Sequence, residues 1–140
     1  MFETTSNKRN RKKNKSHLVL ICDDTGIFGA FSKIKELLAS RSEKYLSLIY
    51  SVPEDNLSPL FEREITILEK RFSHTLYTYT LKVEPGKYDS IQELIEAIIN
   101  SNTNLRMQFL IFGNEEFTDY VTGVLGFLNI ETFSINIKDN

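Results

Sequence analysis

The sequence predicts a three-layer α/β/α domain with a five-stranded parallel sheet in the order 3-2-1-4-5. Three observations point there. Leu18–Cys22 is an unbroken apolar run that passes into Asp23-Asp24-Thr25-Gly26, and a helical pattern begins near Phe28. A run apolar on both faces, then a turn and a helix, is the pattern of a buried parallel strand feeding a crossover helix. Strand-like and helix-like segments then alternate to the end of the chain, as they do in βαβ units. Finally, the strands are of two kinds. Those near Leu18–Cys22, Lys44–Tyr50 and Met107–Phe112 are mostly apolar, as central strands are. Those near His74–Val83 and Thr132–Ile137 alternate apolar and polar residues, as half-exposed edge strands do. Right-handed crossovers between such strands give the stated order.

Taken in order, Met1–Ser16 is polar, charged and without periodicity, and reads as a disordered basic tail or linker ahead of a domain at 17–140. The first helix places Phe28, Phe31, Ile34, Leu37 and Leu38 at helical spacing. Val52-Pro53-Glu54-Asp55-Asn56 is a loop, and Ser58-Pro59 reads as an N-cap followed by proline at the first helical position. Helix two then carries Leu60, Phe61, Ile65, Leu68 and Phe72. In strand three, Tyr77, Tyr79, Leu81 and Val83 face one way. Ser90 and Glu93 read as a capping box for helix three, which buries Ile91, Leu94, Ile95, Ile98 and Ile99. Gly113-Asn114 turns into helix four, with Phe117, Tyr120, Val121, Val124 and Leu125 inward.

The chain has 140 residues, enough for one domain with a real core. Its 41% hydrophobic and 26% charged residues fit a soluble globular protein. No apolar run approaches the roughly 18 residues of a membrane span, and the basic N-terminus lacks the apolar stretch of a secretory signal. The single cysteine, Cys22, has no partner for an internal disulfide. A cytoplasmic location is the expectation. The net charge of −2 hides a split: Lys8, Arg9, Arg11, Lys12, Lys13 and Lys15 face only Glu3 in the tail, and the rest is acidic. No aromatic residue interleaves the basic run, so nucleic acid is not an expected partner.

In the predicted order the chain reverses direction between strands one and four. The crevice at that switch point is lined by Asp23–Gly26 and Gly113–Glu116, both loop-to-helix junctions whose backbone N–H groups face it. Anionic ligands bind at such places.

From Leu18 onward the chain resembles the nucleotide-binding half of the ferredoxin–NADP reductase superfamily. The family's first strand ends in Gly-Gly-Thr-Gly-Ile, where this chain has Asp23-Asp24-Thr25-Gly26-Ile27. A tyrosine-ended second strand, a polar loop and a Leu-Phe-x-x-Glu-like helix start match Tyr50, Asp55, Leu60, Phe61 and Glu64. The fourth strand's Cys-Gly and the following helix's Leu-Gly correspond to Phe112-Gly113 and Leu125-Gly126. The resemblance covers about 120 residues through short motifs in order. It implies an NAD(P)H-binding domain that positions nicotinamide for hydride transfer to FAD or FMN carried by a flavin-binding domain or subunit elsewhere. Asp24, Thr25, Gly26 and Ile27 would lie toward the pyrophosphate and nicotinamide, Tyr50 and Ser51 near the adenosine ribose, and Gly113 and Asn114 beside the nicotinamide. No catalytic residue and no metal ligand is implied. The alternative on the same fold is a degenerate, non-catalytic regulatory or protein-interaction module.

The sequence departs from the family where it matters electrostatically. Asp23 and Asp24 stand in place of the two glycines, an acidic variant like the Asp-Glu-Thr of the superfamily's siderophore-interacting branch. No arginine follows strand two to meet a 2′-phosphate. The acidic pair has three readings. Carboxylates about 4 Å from a phosphate oppose it by on the order of 1–4 kcal/mol. An acidic pair after strand one also resembles the magnesium site of receiver domains, but strand three ends Lys82-Val83-Glu84-Pro85, without their acceptor aspartate. The third reading is a side chain capping helix one. Cys22 reads as a buried structural thiol, and His17 and His74 as surface histidines.

Overall fold

The computed structural model describes residues 16–41, 44–84, 87–102, 106–130 and 135–138. The basic tail through Lys15 lies outside the described residues. In chain order the elements are β1 (Ser16–Cys22), α1 (Ile27–Ala39), β2 (Tyr45–Pro53), α2 (Glu62–Arg71), β3 (Leu76–Val83), α3 (Asp89–Ser101), β4 (Arg106–Phe112), α4 (Glu115–Phe127) and β5 (Ile135–Lys138).

The described residues form an all-parallel sheet in the order β3-β2-β1-β4-β5 with four helices; its body is the four long strands β3-β2-β1-β4, and the expected fifth strand is described over four residues only. Beyond β4 runs only the four-residue backbone segment β5, paired parallel with Phe109–Phe112. The alternation from Thr132 predicted a longer edge strand, and 131–134 lie outside the described residues.

Period-two alternation along the central strands builds two cores. On one face Leu18, Leu20, Leu46, Leu48, Leu110 and Phe112 meet Ile27, Phe31 and Ile34 of α1 and Ile65 of α2. On the other, Val19, Ile21, Ile49, Phe109 and Ile111 meet Ile91, Ile95 and Ile98 of α3 and Phe117, Val121 and Leu125 of α4. Each fully buried aliphatic side chain contributes about 1.5–3 kcal/mol. This is why strands apolar on both faces sit in the middle.

Two helix starts differ from the sequence reading. Helix α2 begins at Glu62 behind Phe61, which adopts a left-handed φ of 64° as the cap residue. Ser58 instead donates its N–H to the Asn56 side chain, 3.1 Å away. Phe61 accepts this unfavourable backbone while stacking on Phe31, ring centroids 4.6 Å apart. Helix α3 starts at Asp89 with Tyr88 as its cap residue and no side-chain cap bond, so Ser90 lies inside the first turn rather than capping it.

Candidate functional site

The register aligns Cys22 with both Tyr50 and Phe112. The C-terminal ends of β1, β2 and β4 therefore lie level, and their loops open on one crevice at the point where the chain reverses direction. A cavity of about 170 Å³ there is lined by Asp23, Asp24, Ser51, Val52, Asn114 and Tyr88, among others. Of the sequence-predicted residues, Asp24, Ser51 and Asn114 line it. Thr25 and Gly26 form the turn beside it, and Gly113 joins β4 to α4. Two of them do not reach it: Ile27 and Tyr50 are each 1% exposed and belong to the core under α1. Burial, followed by the nearby Cys22 and Asp24, raises the Tyr50 phenol above its ordinary 10.0.

The crevice is organised by a residue that the resemblance did not assign to it. Asp23 is buried, and its Oδ1 accepts from Thr25 N at 2.9 Å, Thr25 Oγ1 at 2.6 Å and Gly26 N at 2.9 Å. Its Oδ2 accepts from Asn114 N at 3.3 Å. One carboxylate thus ties the turn before α1 to the turn before α4. Backbone N–H groups at helix starts lack intrahelical partners and attract anions; here they hold an anion of the chain's own. The capping reading of the acidic pair is corrected: the cap residue of α1 is Gly26, with no side-chain cap bond, and Asp23 instead closes the turn ahead of it, whereas Asp24 is exposed. Among the described residues no group of three or more His, Cys, Asp or Glu gathers as a metal site would require.

Glycine is required at two places by close approach. A Cβ on Gly26 would sit 2.1 Å from the Phe112 carbonyl oxygen, and one on Gly113 2.8 Å from the Phe117 ring. The β1 and β4 loops touch backbone to backbone, with Asp23 N donating to Phe112 O at 3.3 Å. Asn114 caps α4, its Oδ1 accepting from Phe117 N at 2.8 Å.

Tyr88 is the lining residue that the sequence did not reveal. It rests against Phe117 and Tyr120, and its carbonyl accepts from the Tyr120 hydroxyl at 3.0 Å. Burial, then Glu116, Asp23 and Asp24, raises its phenol. Nothing in a lone tyrosine after a Pro-Gly turn signals this placement. Cys22 is fully buried, and burial, then Asp23 and Asp24, pushes its thiol well above 9.0, so it is a structural thiol. His17 is not a surface histidine: it is 3% exposed and bonded to Ser47 and Asn102.

No protein-family model matches the chain, and no curated protein matches it in sequence. Solved structures do match. Ferredoxin–NADP+ reductase from Plasmodium falciparum, in its H286L mutant, aligns with a TM-score of 0.71 at 19% identity, over 96% of this chain and 55% of that one. The CS-b5R domains of human Ncb5or, in an NAD+ form, align with a TM-score of 0.70 at 16% identity, over 92% and 38%. Flavohemoglobin from Malassezia yamatoensis, with bound FAD and heme, aligns with a TM-score of 0.62 at 17% identity, over 91% and 32%. The chain has the fold of the NAD(P)-binding-type domains of ferredoxin–NADP+ reductase and cytochrome b5 reductase. It spans about half the length of the reductases it matches, or less. No helix among the described residues is long and apolar enough to cross a membrane.

Proposed function

We propose that this chain is the NAD(P)H-binding domain of a ferredoxin-reductase-like, flavin-dependent oxidoreductase, with FAD or FMN on a partner domain or subunit. The observation that carries this reading is the switch-point crevice. There Gly26 lets the turn before α1 lie directly against the β4 backbone, and N–H groups from two helix starts converge. Such a place suits a pyrophosphate. The nicotinamide supplies the hydride; the chain's part is to bind and orient it, with Thr25, Gly26, Ser51, Gly113 and Asn114 as the contact residues. No acid–base group is needed for that role. Ser51-Val52-Pro53 offers no cation to a 2′-phosphate.

One observation favours the second reading, a non-catalytic regulatory or interaction module. Asp23 already engages the N–H groups that a pyrophosphate would use, and Asp24 adds a second negative charge beside them.

Flavin reduction separates the two. Mixed with NADH and a separately produced flavin-binding domain of this superfamily, the first reading expects bleaching of the flavin at a rate that depends on this chain. It also expects the purified chain to be colourless and inert towards NADH alone. No chain-dependent bleaching with any such domain, NADH or NADPH, favours the module.

A further inference from the structure

The larger cavity of the described structure, about 410 Å³, lies at the other end of the sheet from the crevice, between β3 and the second half of α3. Strand β2 marks both places. Its side chains towards α3 include two serines, Ser47 and Ser51, each buried, and each beneath one of the cavities. A hydroxyl in a buried apolar strand needs a partner.

At Ser47 that partner is defined down to the proton. Asn102 Nδ2 donates to the Ile98 carbonyl at 2.6 Å, which fixes the amide so that Oδ1 faces His17. His17 Nδ1 lies 3.1 Å from that Oδ1 and so carries the imidazole proton. Its Nε2, 2.7 Å from Ser47 Oγ, is then the acceptor, and Ser47 donates to it. Burial lowers the His17 pKa and keeps the ring neutral. Ser47 Oγ therefore has its hydrogen committed and keeps its lone pairs as acceptors at the cavity floor.

The walls are Tyr45, Tyr77 and Tyr79 on the sheet side and Leu94, Ala97 and Ile98 on the helix side. Tyr77 and Tyr79 remain 40% and 37% exposed, large aromatic surfaces that α3 leaves uncovered. Among the described residues no Asp, Glu, Lys or Arg lines the cavity. A slot with mainly aromatic and aliphatic walls, Ser101 and Asn102 also in its lining, no charged side chain among the described residues and a buried acceptor at its floor suits a flat, neutral ring with one donor.

We propose that this cavity is a binding site for a small neutral aromatic molecule with a single N–H or O–H group, of the indole or phenol class, its donor directed at Ser47. The proposal is independent of the nucleotide reading.

Indole and 1-methylindole, which lacks the N–H, are the probes, titrated into the full chain and followed by ¹H–¹⁵N NMR. Saturable indole shifts are expected at His17, Ser47, Tyr79 and Ala97, with 1-methylindole about tenfold weaker because it leaves the floor acceptor unpaired. Ser47→Ala should erase that preference, and Tyr79→Ala should weaken both probes severalfold. Equal affinities for the two probes, no saturation within indole's solubility, or shifts confined to the crevice beside Asp23 would each overturn the proposal. If Ser47→Ala fails to fold, the comparison of the two probes on the wild-type chain decides.

Discussion

The carboxylate of Asp23 packs against the backbone of Gly113: a Cβ on Gly113 would lie 2.9 Å from Asp23 Cγ. The two residues belong to different crossover units, yet each constrains the other. Asp23 bonds to the N–H of Asn114, the residue after Gly113, and glycine leaves the room for it to do so.

Asp23 should therefore matter for stability far more than Asp24. Asp23→Ala removes the buried carboxylate to which Thr25, Gly26 and Asn114 donate, and a loss of about 2–3 kcal/mol is expected. Asp24→Ala, at an exposed position, should stay within about 0.5 kcal/mol. Urea midpoints at unchanged slope check both. Equal effects of the two substitutions would contradict the role given to Asp23.

The glycines divide by what surrounds them. Gly26→Ala drives a methyl into the Phe112 carbonyl, which is backbone and cannot swing aside, so a loss of about 3 kcal/mol or more is expected. Gly113→Ala meets side chains that can yield in part, and about 1–3 kcal/mol is expected. At Gly123, inside α4, an added Cβ meets nothing within 4 Å; alanine there should stabilise by about 0.5–1 kcal/mol. Thermal midpoints rank the three.

His17 should make the fold acid-sensitive. Its pKa is lowered in the folded chain, so near its ordinary 6.5 the unfolded chain binds more protons. The stability contributed by the neutral ring is fully present above 6.5. It is lost as the pH falls through 6.5 towards the lower folded value. Urea midpoints at about pH 7.5 and 5.5 should show a drop in the wild type that His17→Gln reduces. An identical drop in both would place the acid sensitivity elsewhere.

The fold was legible because its signals are local. Leu18–Cys22 announces a central strand by composition alone, and the alternation of Tyr77 to Val83 announces an edge. Gly26 and Asn114 stand where a close turn and a helix cap need them. What escaped the sequence is set by distant partners. His17 reads as a lone surface histidine until the β1–β2 pairing brings its ring to the Ser47 hydroxyl, 30 residues away, and the end of α3 brings up Asn102. Tyr50 and Ile27 sit in motif positions, but the pleat and the helix face turn them into the core. Asp23 lay between a repelling charge and a cap until its four donors were located, and sequence spacing alone does not show the Asn114 bond, which crosses 91 positions.

The most direct measurement is calorimetric titration of NADH and NADPH into the wild type, Asp23→Gly, Asp24→Gly and the double substitution, with folding checked for each. The account predicts weak saturable binding by the wild type. Removing the carboxylates relieves their repulsion of the pyrophosphate, and freeing the N–H groups of Thr25, Gly26 and Asn114 adds to that. The double substitution should bind about tenfold to a hundredfold more tightly, with the gain shrinking at high salt. Unchanged affinity in folded variants would mean that the Asp23 loop does not touch the nucleotide. No saturable binding by any of the four proteins would contradict the nucleotide-binding account itself.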